Sequence, residues 1–138
     1  MTTQLDEYFD RIERQCLLSP VVLSLQVRER EERLQEGFIR IRAKLSNSDL
    51  LEAFEFVVIA PDGLQTLTYR IHWQRDDGQL RWRWDNAPHH QEVATSPHHV
   101  HLDLAEQVEP SEPMTILKAL AFVEQELQRN ARSPQGEA

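Results

Sequence analysis

Between Phe38 and Trp84 the chain is a succession of alternating apolar and polar residues broken by turn residues, with no helical periodicity in between. Such a segment sends one row of side chains toward a core and the other toward water, and two of them joined by a short turn lie antiparallel. In Phe38 to Leu45 the rows are Ile39, Ile41, Ala43 and Leu45 against Arg40, Arg42 and Lys44. Ser46-Asn47-Ser48-Asp49 leads into a second run, Leu50 to Ile59. Pro61-Asp62-Gly63 then sets another reversal, proline presetting the first turn position and glycine accepting a positive φ. Leu67, Tyr69, Ile71 and Trp73 alternate with Thr66, Thr68, Arg70, His72 and Gln74. After Asp76-Asp77-Gly78 the pattern continues through Leu80, Trp82 and Trp84. Val21 to Arg28 alternates more loosely and reads as the first strand, with the charged run Glu29 to Glu36 as a solvated turn or hairpin tip. Extended runs joined by short turns imply an antiparallel meander rather than alternating βαβ units.

Helical spacing is confined to the two ends. Leu5, Tyr8, Phe9, Ile12, Cys16 and Leu17 recur at three- and four-residue intervals before Ser19-Pro20, and Met114, Leu117, Leu120, Val123 and Leu127 do so after Ser111 or Thr115, either of which can cap a helix. The stretch from Ala87 to Pro113 holds four prolines and reads as ordered loop with a short strand around Val100 to Leu102. The expectation is an α+β fold: a five- to six-stranded antiparallel meander sheet with an N-terminal and a C-terminal helix packed on it. Residues 1–129 form a single domain in this reading, and 130–138 form a flexible tail without bulky apolar side chains.

Charge and cysteine usage narrow the class. Twenty-three acidic against 15 basic side chains give −8, a mean field that repels nucleic acid and anionic membrane, so any RNA contact must be local. Cys16, the single cysteine, has no partner for an internal disulfide and reads as a core thiol. The chain has no signal pattern and no apolar run of 18 residues, which predicts a cytoplasmic protein without membrane association.

All six histidines fall at 72, 89, 90, 98, 99 and 101, a stretch that also holds all three tryptophans. Tyr69-Arg70-Ile71-His72-Trp73-Gln74, then Arg81-Trp82-Arg83-Trp84-Asp85-Asn86-Ala87-Pro88-His89-His90, then Ser96-Pro97-His98-His99-Val100-His101 resemble the TumE family of toxins from bacterial toxin-antitoxin modules. The likeness runs from about residue 20 to about residue 113. It implies a growth-inhibiting protein neutralised by a cognate antitoxin, and RNA as a target by analogy with other small toxins built on antiparallel sheets. The chain departs from the family's pattern at Ser96, where an aromatic is usual, which implies looser packing or stacking beside His98.

Metal-free RNA cleavage needs a base for the 2′-hydroxyl, an acid for the leaving oxygen and a cation for the charged phosphorane. His72, His89, His90, His98, His99, His101 and Asp85 are the candidate catalytic residues, and Arg70, Arg81, Arg83, Trp84 and Asn86 the candidate substrate contacts. No cofactor is required. A divalent metal is the rival use of the cluster: His98 and His101, or His99 and His101, with His89 or His90 and a carboxylate from Asp85. Each residue also has a structural reading. His72 alone is a partly exposed strand histidine, Asp85-Asn86 a turn cap, and the tryptophans sheet core rather than base-stacking platforms. Arg40, Arg42 and Lys44 read first as a solvated face, then as a surface for phosphates or for an acidic antitoxin segment. The reading from a different class is a non-catalytic partner-binding protein, or an inactive relative, in which the His/Pro motifs lock a loop or form a docking surface.

Overall fold

The computed structural model describes residues 2–88, 94–102 and 107–132. Helix α1 (Gln4–Leu18) begins at a capping box in which Thr3 and Asp6 satisfy each other's backbone N–H. Seven strands follow: β1 (Val22–Glu32), β2 (Glu36–Leu45), β3 (Leu50–Ala60), β4 (Gly63–Gln74), β5 (Leu80–Asp85), β6 (His99–Leu102) and β7 (Gln107–Pro110). They form one antiparallel sheet in sequence order, so the meander is as the turn spacing predicts. Helix α2 (Ile116–Arg132) closes the chain, with Thr115 Oγ1 accepting from Lys118 N–H at its start.

Register turns the alternation of each strand into rows that cross the sheet. Ile41, Ala53, Ile71, Trp84 and Val100 stand opposite one another on β2 to β6 and form one row of the core. Both helices cover this face: Leu5, Phe9, Ile12 and Cys16 of α1, and Ile116, Ala119, Leu120 and Val123 of α2, are buried with it. Phe122 of α2 meets the tryptophans edge-on, at 5.1 Å from Trp82, 5.3 Å from Trp84 and 6.4 Å from Trp73. Trp73 and Trp82 stack at 5.0 Å. Burial holds the Cys16 thiol up at about 11, which leaves it a core side chain at neutral pH.

Three expectations are corrected. The charged run 29–36 is mostly strand, because β1 continues to Glu32 and β2 starts at Glu36. Its Arg30 points to the helix side, where it lies over the Phe9 ring and pairs with Asp10 at 2.9 Å, with Glu13 at 2.6 Å and with Glu32. The sheet has seven strands rather than five or six. β7 carries a single apolar side chain, Val108, and an edge strand that buries little needs no alternation to form. Its last residue, Pro110, is compatible with an edge, where a missing N–H costs nothing. Helix α2 also continues to Arg132, past the start of the expected tail, whose last six residues lie outside the described ones.

Gly37 sits where β1 and β2 close under α1. A Cβ there would lie 2.5 Å from Glu31 O and 3.1 Å from the Phe9 ring. Gly37→Ala is therefore expected to lower stability by about 1–3 kcal/mol through overpacking against backbone, read as a shift of the urea midpoint at unchanged m.

Candidate functional site

On the face of the sheet away from the helices, the same register builds two further rows. Arg40, Phe54, Arg70, Asp85 and His99 stand opposite one another on β2 to β6, and Arg42, Glu52, His72, Arg83 and His101 form the next row. The last three of each row make a grid two residues deep and three strands wide. Trp84 holds the middle strand in place: with its ring in the core, its neighbours Arg83 and Asp85 must face the other way.

Asp85, His99 and His101 are buried at the centre of this grid. His99 Nε2 is 2.9 Å from Asp85 Oδ1, and His101 Nε2 is 3.7 Å from Oδ2. The two imidazoles meet edge to face with centroids 5.0 Å apart. His99 Nδ1 lies 2.8 Å from the carbonyl oxygen of Pro97, to which a ring nitrogen can only donate. His99 Nε2 then faces a carboxylate oxygen across a distance that requires a proton between them. Asp85 Oδ1 also accepts from Ala87 N–H at 3.0 Å, an Asx turn that fixes the carboxylate.

Arg83 stands 3.8 Å from Asp85 Oδ2 by its Nε, too far for a hydrogen bond. That Nε is buried and has no hydrogen-bond partner among the described residues. Burial and the neighbouring Arg70 charge pull the Arg83 guanidinium below its ordinary value, with Asp85 opposing. Arg70 is exposed and has no hydrogen bond or ion pair among the described residues. Together these groups border a concavity of about 600 Å³ whose lining also includes Tyr69, Asn86 and Pro88.

Asn86 explains how the site keeps its shape beyond the end of β5. Its Oδ1 accepts from Tyr69 N–H at 3.1 Å and its Nδ2 donates to Leu67 O at 2.8 Å, so one side-chain amide extends the ladder to β4. Asn86 is thus a scaffold of the pocket as well as part of its wall.

The remaining sequence candidates fall elsewhere. His98 stacks on Tyr69 at 5.8 Å, and its Nδ1 is 2.8 Å from the Tyr69 hydroxyl, which itself accepts from the Met114 backbone. Burial, with the Asp85 charge adding to it, pushes the Tyr69 hydroxyl up to about 12, so it stays protonated at neutral pH. His72 lies on the site face but in an adjoining concavity, its Nε2 2.9 Å from Gln74 Oε1. Burial first, then Arg83 and Arg70, lowers its pKa and keeps it neutral. Arg81 is bound by Asp49 against Trp73, and Asp49 also accepts from Trp73 Nε1 at 2.9 Å. Trp84 is core, with no face free for a base. His89 and His90 lie outside the described residues.

The ligand atoms of Asp85, His99 and His101 all lie within 4.8 Å of one another. Two imidazoles and a carboxylate in this arrangement can hold a divalent ion, with the Pro97 carbonyl orienting one ring. His99 and His101 thus meet Asp85 as the rival reading had it, with His98 outside the set.

The profile of the family described as Toxin TumE matches residues 9–130. The chain belongs to the TumE toxin family. Membership makes it a toxin by family and implies an antitoxin partner. The match extends the resemblance at both ends, taking in most of α1 and nearly all of α2 with the whole sheet. Comparison with curated proteins and with solved structures returns no match. Among the described residues of this TumE family member, no helix is long and apolar enough to cross a membrane.

Proposed function

We propose that this chain arrests growth by cleaving RNA in the Asp85–His99–His101 pocket, without a metal, with Arg70 and Arg83 gripping the scissile phosphate. The observation that carries the reading is His99: one ring nitrogen donates to Pro97 O and the other shares a proton with Asp85, beside a second imidazole and a guanidinium with a buried, unpaired Nε. The proton held between His99 and Asp85 is the one an acid must give, released to the leaving oxygen when substrate displaces that contact, and His101 is the adjacent base. His101 takes the proton of the 2′-hydroxyl, the 2′-oxygen bonds to phosphorus, and the bond to the 5′-oxygen breaks as His99 protonates it. The products are a 2′,3′-cyclic phosphate and a 5′-hydroxyl. Arg70 and Arg83 neutralise the charge that develops on the phosphorane oxygens. The work is done in the organism's interior, where RNA and antitoxin meet.

The ligand spacing favours a second reading in which a divalent ion replaces the shared proton. Two nearby guanidiniums weigh against adding a dication to a single carboxylate, and for the same reason favour an anionic phosphate. A non-catalytic partner-binding role would leave the buried proton-sharing pair without a use.

Growth curves test the toxin reading directly. Induction of the wild type should arrest growth, co-expression of the neighbouring reading frame should relieve it, and Arg83→Gln should abolish it at equal soluble yield. Arrest that persists unchanged in Arg83→Gln counts against this pocket, and no arrest from folded wild type counts against the toxin activity itself. His98→Ala, in contrast, is expected to lower stability by about 1–2 kcal/mol through loss of the hydroxyl bond and ring stacking. Its cleavage rate should fall by less than about tenfold, since general acid–base groups are worth far more than that. A melt and a rate on the same sample separate the two.

A further inference from the structure

The face that leads into the pocket differs in charge from the rest of the chain. Six cationic side chains, Arg28, Arg40, Arg42, Lys44, Arg70 and Arg83, share it with five carboxylates, Glu29, Glu31, Glu36, Glu52 and Asp85, a local balance of +1 in a chain of −8. Acidic residues concentrate on the helix side, as Asp6, Glu7, Asp10 and Glu13 of α1 illustrate. The average field that repels polyanions therefore does not describe this surface.

Within the face, a second concavity of about 280 Å³ lies beside the first and shares Arg70 with it; Arg28, Arg40, Phe54 and His72 line it together with one carboxylate, Glu52, which stands opposite His72. Phe54 is half-buried, next to Phe38 at 6.1 Å, and the Arg40 guanidinium lies 4.6 Å from its ring centroid. An aromatic ring under an arginine, on the face away from the helices and between the exposed Arg40 and Arg70, serves no part of the helix-covered core. It has the chemistry of a platform for an unpaired base, with cations at either side for the backbone. The row Arg40, Phe54, Arg70, Asp85, His99 spans four strand spacings, about 19 Å, the length of a few nucleotides.

We infer that the Arg28–Arg40–Phe54–Arg70 concavity is a subsite for single-stranded RNA, taking a nucleotide next to the one cleaved: its base stacks on Phe54 in place of Arg40, and Arg40 and Arg70 bind the flanking phosphates. The inference rests on the reading that the neighbouring pocket acts on RNA. Neutral His72, with one nitrogen engaged by Gln74, offers its other nitrogen to a base edge. Duplex RNA is excluded as the ligand because its bases are already stacked on one another.

The test measures binding of a fluorescent single-stranded RNA to full-length protein in an Asp85→Asn background, so that the probe survives. Phe54→Leu should weaken binding about five- to a hundredfold, Arg40→Gln should also reduce the slope of log K against log salt by about 0.7, and a duplex of the same sequence should bind less well. Equal affinity of Phe54→Leu and its parent overturns the subsite, and if wild type still cleaves RNA the pocket reading survives alone. A Phe54-dependent affinity in a protein that never cleaves keeps the subsite and removes the catalysis. Loss of antitoxin binding by Phe54→Leu with RNA binding intact overturns the inference in favour of a protein partner.

Discussion

Replacing His99 with alanine is expected to lower RNA cleavage by about 10²–10⁴-fold, the usual worth of a general acid or base, and to abolish growth arrest. The side chain is 1% exposed, so truncation also leaves Asp85 Oδ1 and Pro97 O without a ring between them, and some stability is lost with the activity. Asp85→Asn separates the two effects. The amide keeps an oxygen for Ala87 N–H and the same shape, but it presents no carboxylate to His99. Its melting temperature should stay within a few degrees of wild type while single-turnover cleavage falls at least about a hundredfold. An Asp85→Asn protein that cleaves normally would remove the His99–Asp85 pair from the mechanism.

The largest effect on stability is expected at Glu55. It is a fully buried carboxylate on the helix side of β3, where Tyr8 Oη donates to it from α1 at 2.7 Å, Thr66 Oγ1 from β4 at 3.0 Å and Ile116 N–H from the first turn of α2 at 2.6 Å. One side chain thus ties both helices to the sheet, and its charge sits at a helix N-terminus. Glu55→Ala strands three buried donors and is expected to cost roughly 3–5 kcal/mol, since each unsatisfied group costs about 1–3 kcal/mol. Burial raises the Glu55 pKa above its ordinary 4.5, with the three donors opposing. The folded state therefore holds this proton more tightly than the unfolded one. The resulting contribution to stability is complete below pH 4.5 and is lost as pH rises through the folded value. Glu55→Gln keeps an acceptor and a neutral group at every pH, so urea unfolding at pH 5 and pH 8 should show a smaller decline for Glu55→Gln than for wild type. An equal decline in both would assign the pH dependence to other groups.

Much of this was legible in the chain because strand alternation is a strict period of two. Arg70 with His72, Arg83 with Asp85, and His99 with His101 are each i, i+2 pairs, so each had to share a face. What alternation does not give is register across a long connection. The tight turn at Asp76-Asp77-Gly78 brings β5 against β4 locally, but 86–98 is too long to fix which residue of β6 meets Asp85. That pairing depends on the Asn86 amide continuing the ladder and on Thr95, whose hydroxyl donates to His98 O at 2.6 Å and accepts from Ser111 N–H at 2.9 Å. His98 was drawn toward the reactive set by its neighbours in sequence, whereas one residue of offset turns it toward Tyr69. Glu55 was missed although it shares the parity of Leu51, Ala53 and Val57, a signal that an acidic residue lay on the core face. The charge of −8 argued against RNA only as an average, since the strand residues of the site face sum to +1.

The most direct test of the central claim uses an RNA carrying one 2′-deoxynucleotide at the cleaved position, incubated with purified protein in the presence of chelator. The all-ribose strand should be cut to a 2′,3′-cyclic phosphate and a 5′-hydroxyl, chelator should leave the rate unchanged, and the single 2′-deoxy substitution should block the cut. Cleavage of the 2′-deoxy strand at the same position, or loss of all cleavage with chelator, would contradict an attack by the 2′-oxygen driven by His99 and His101.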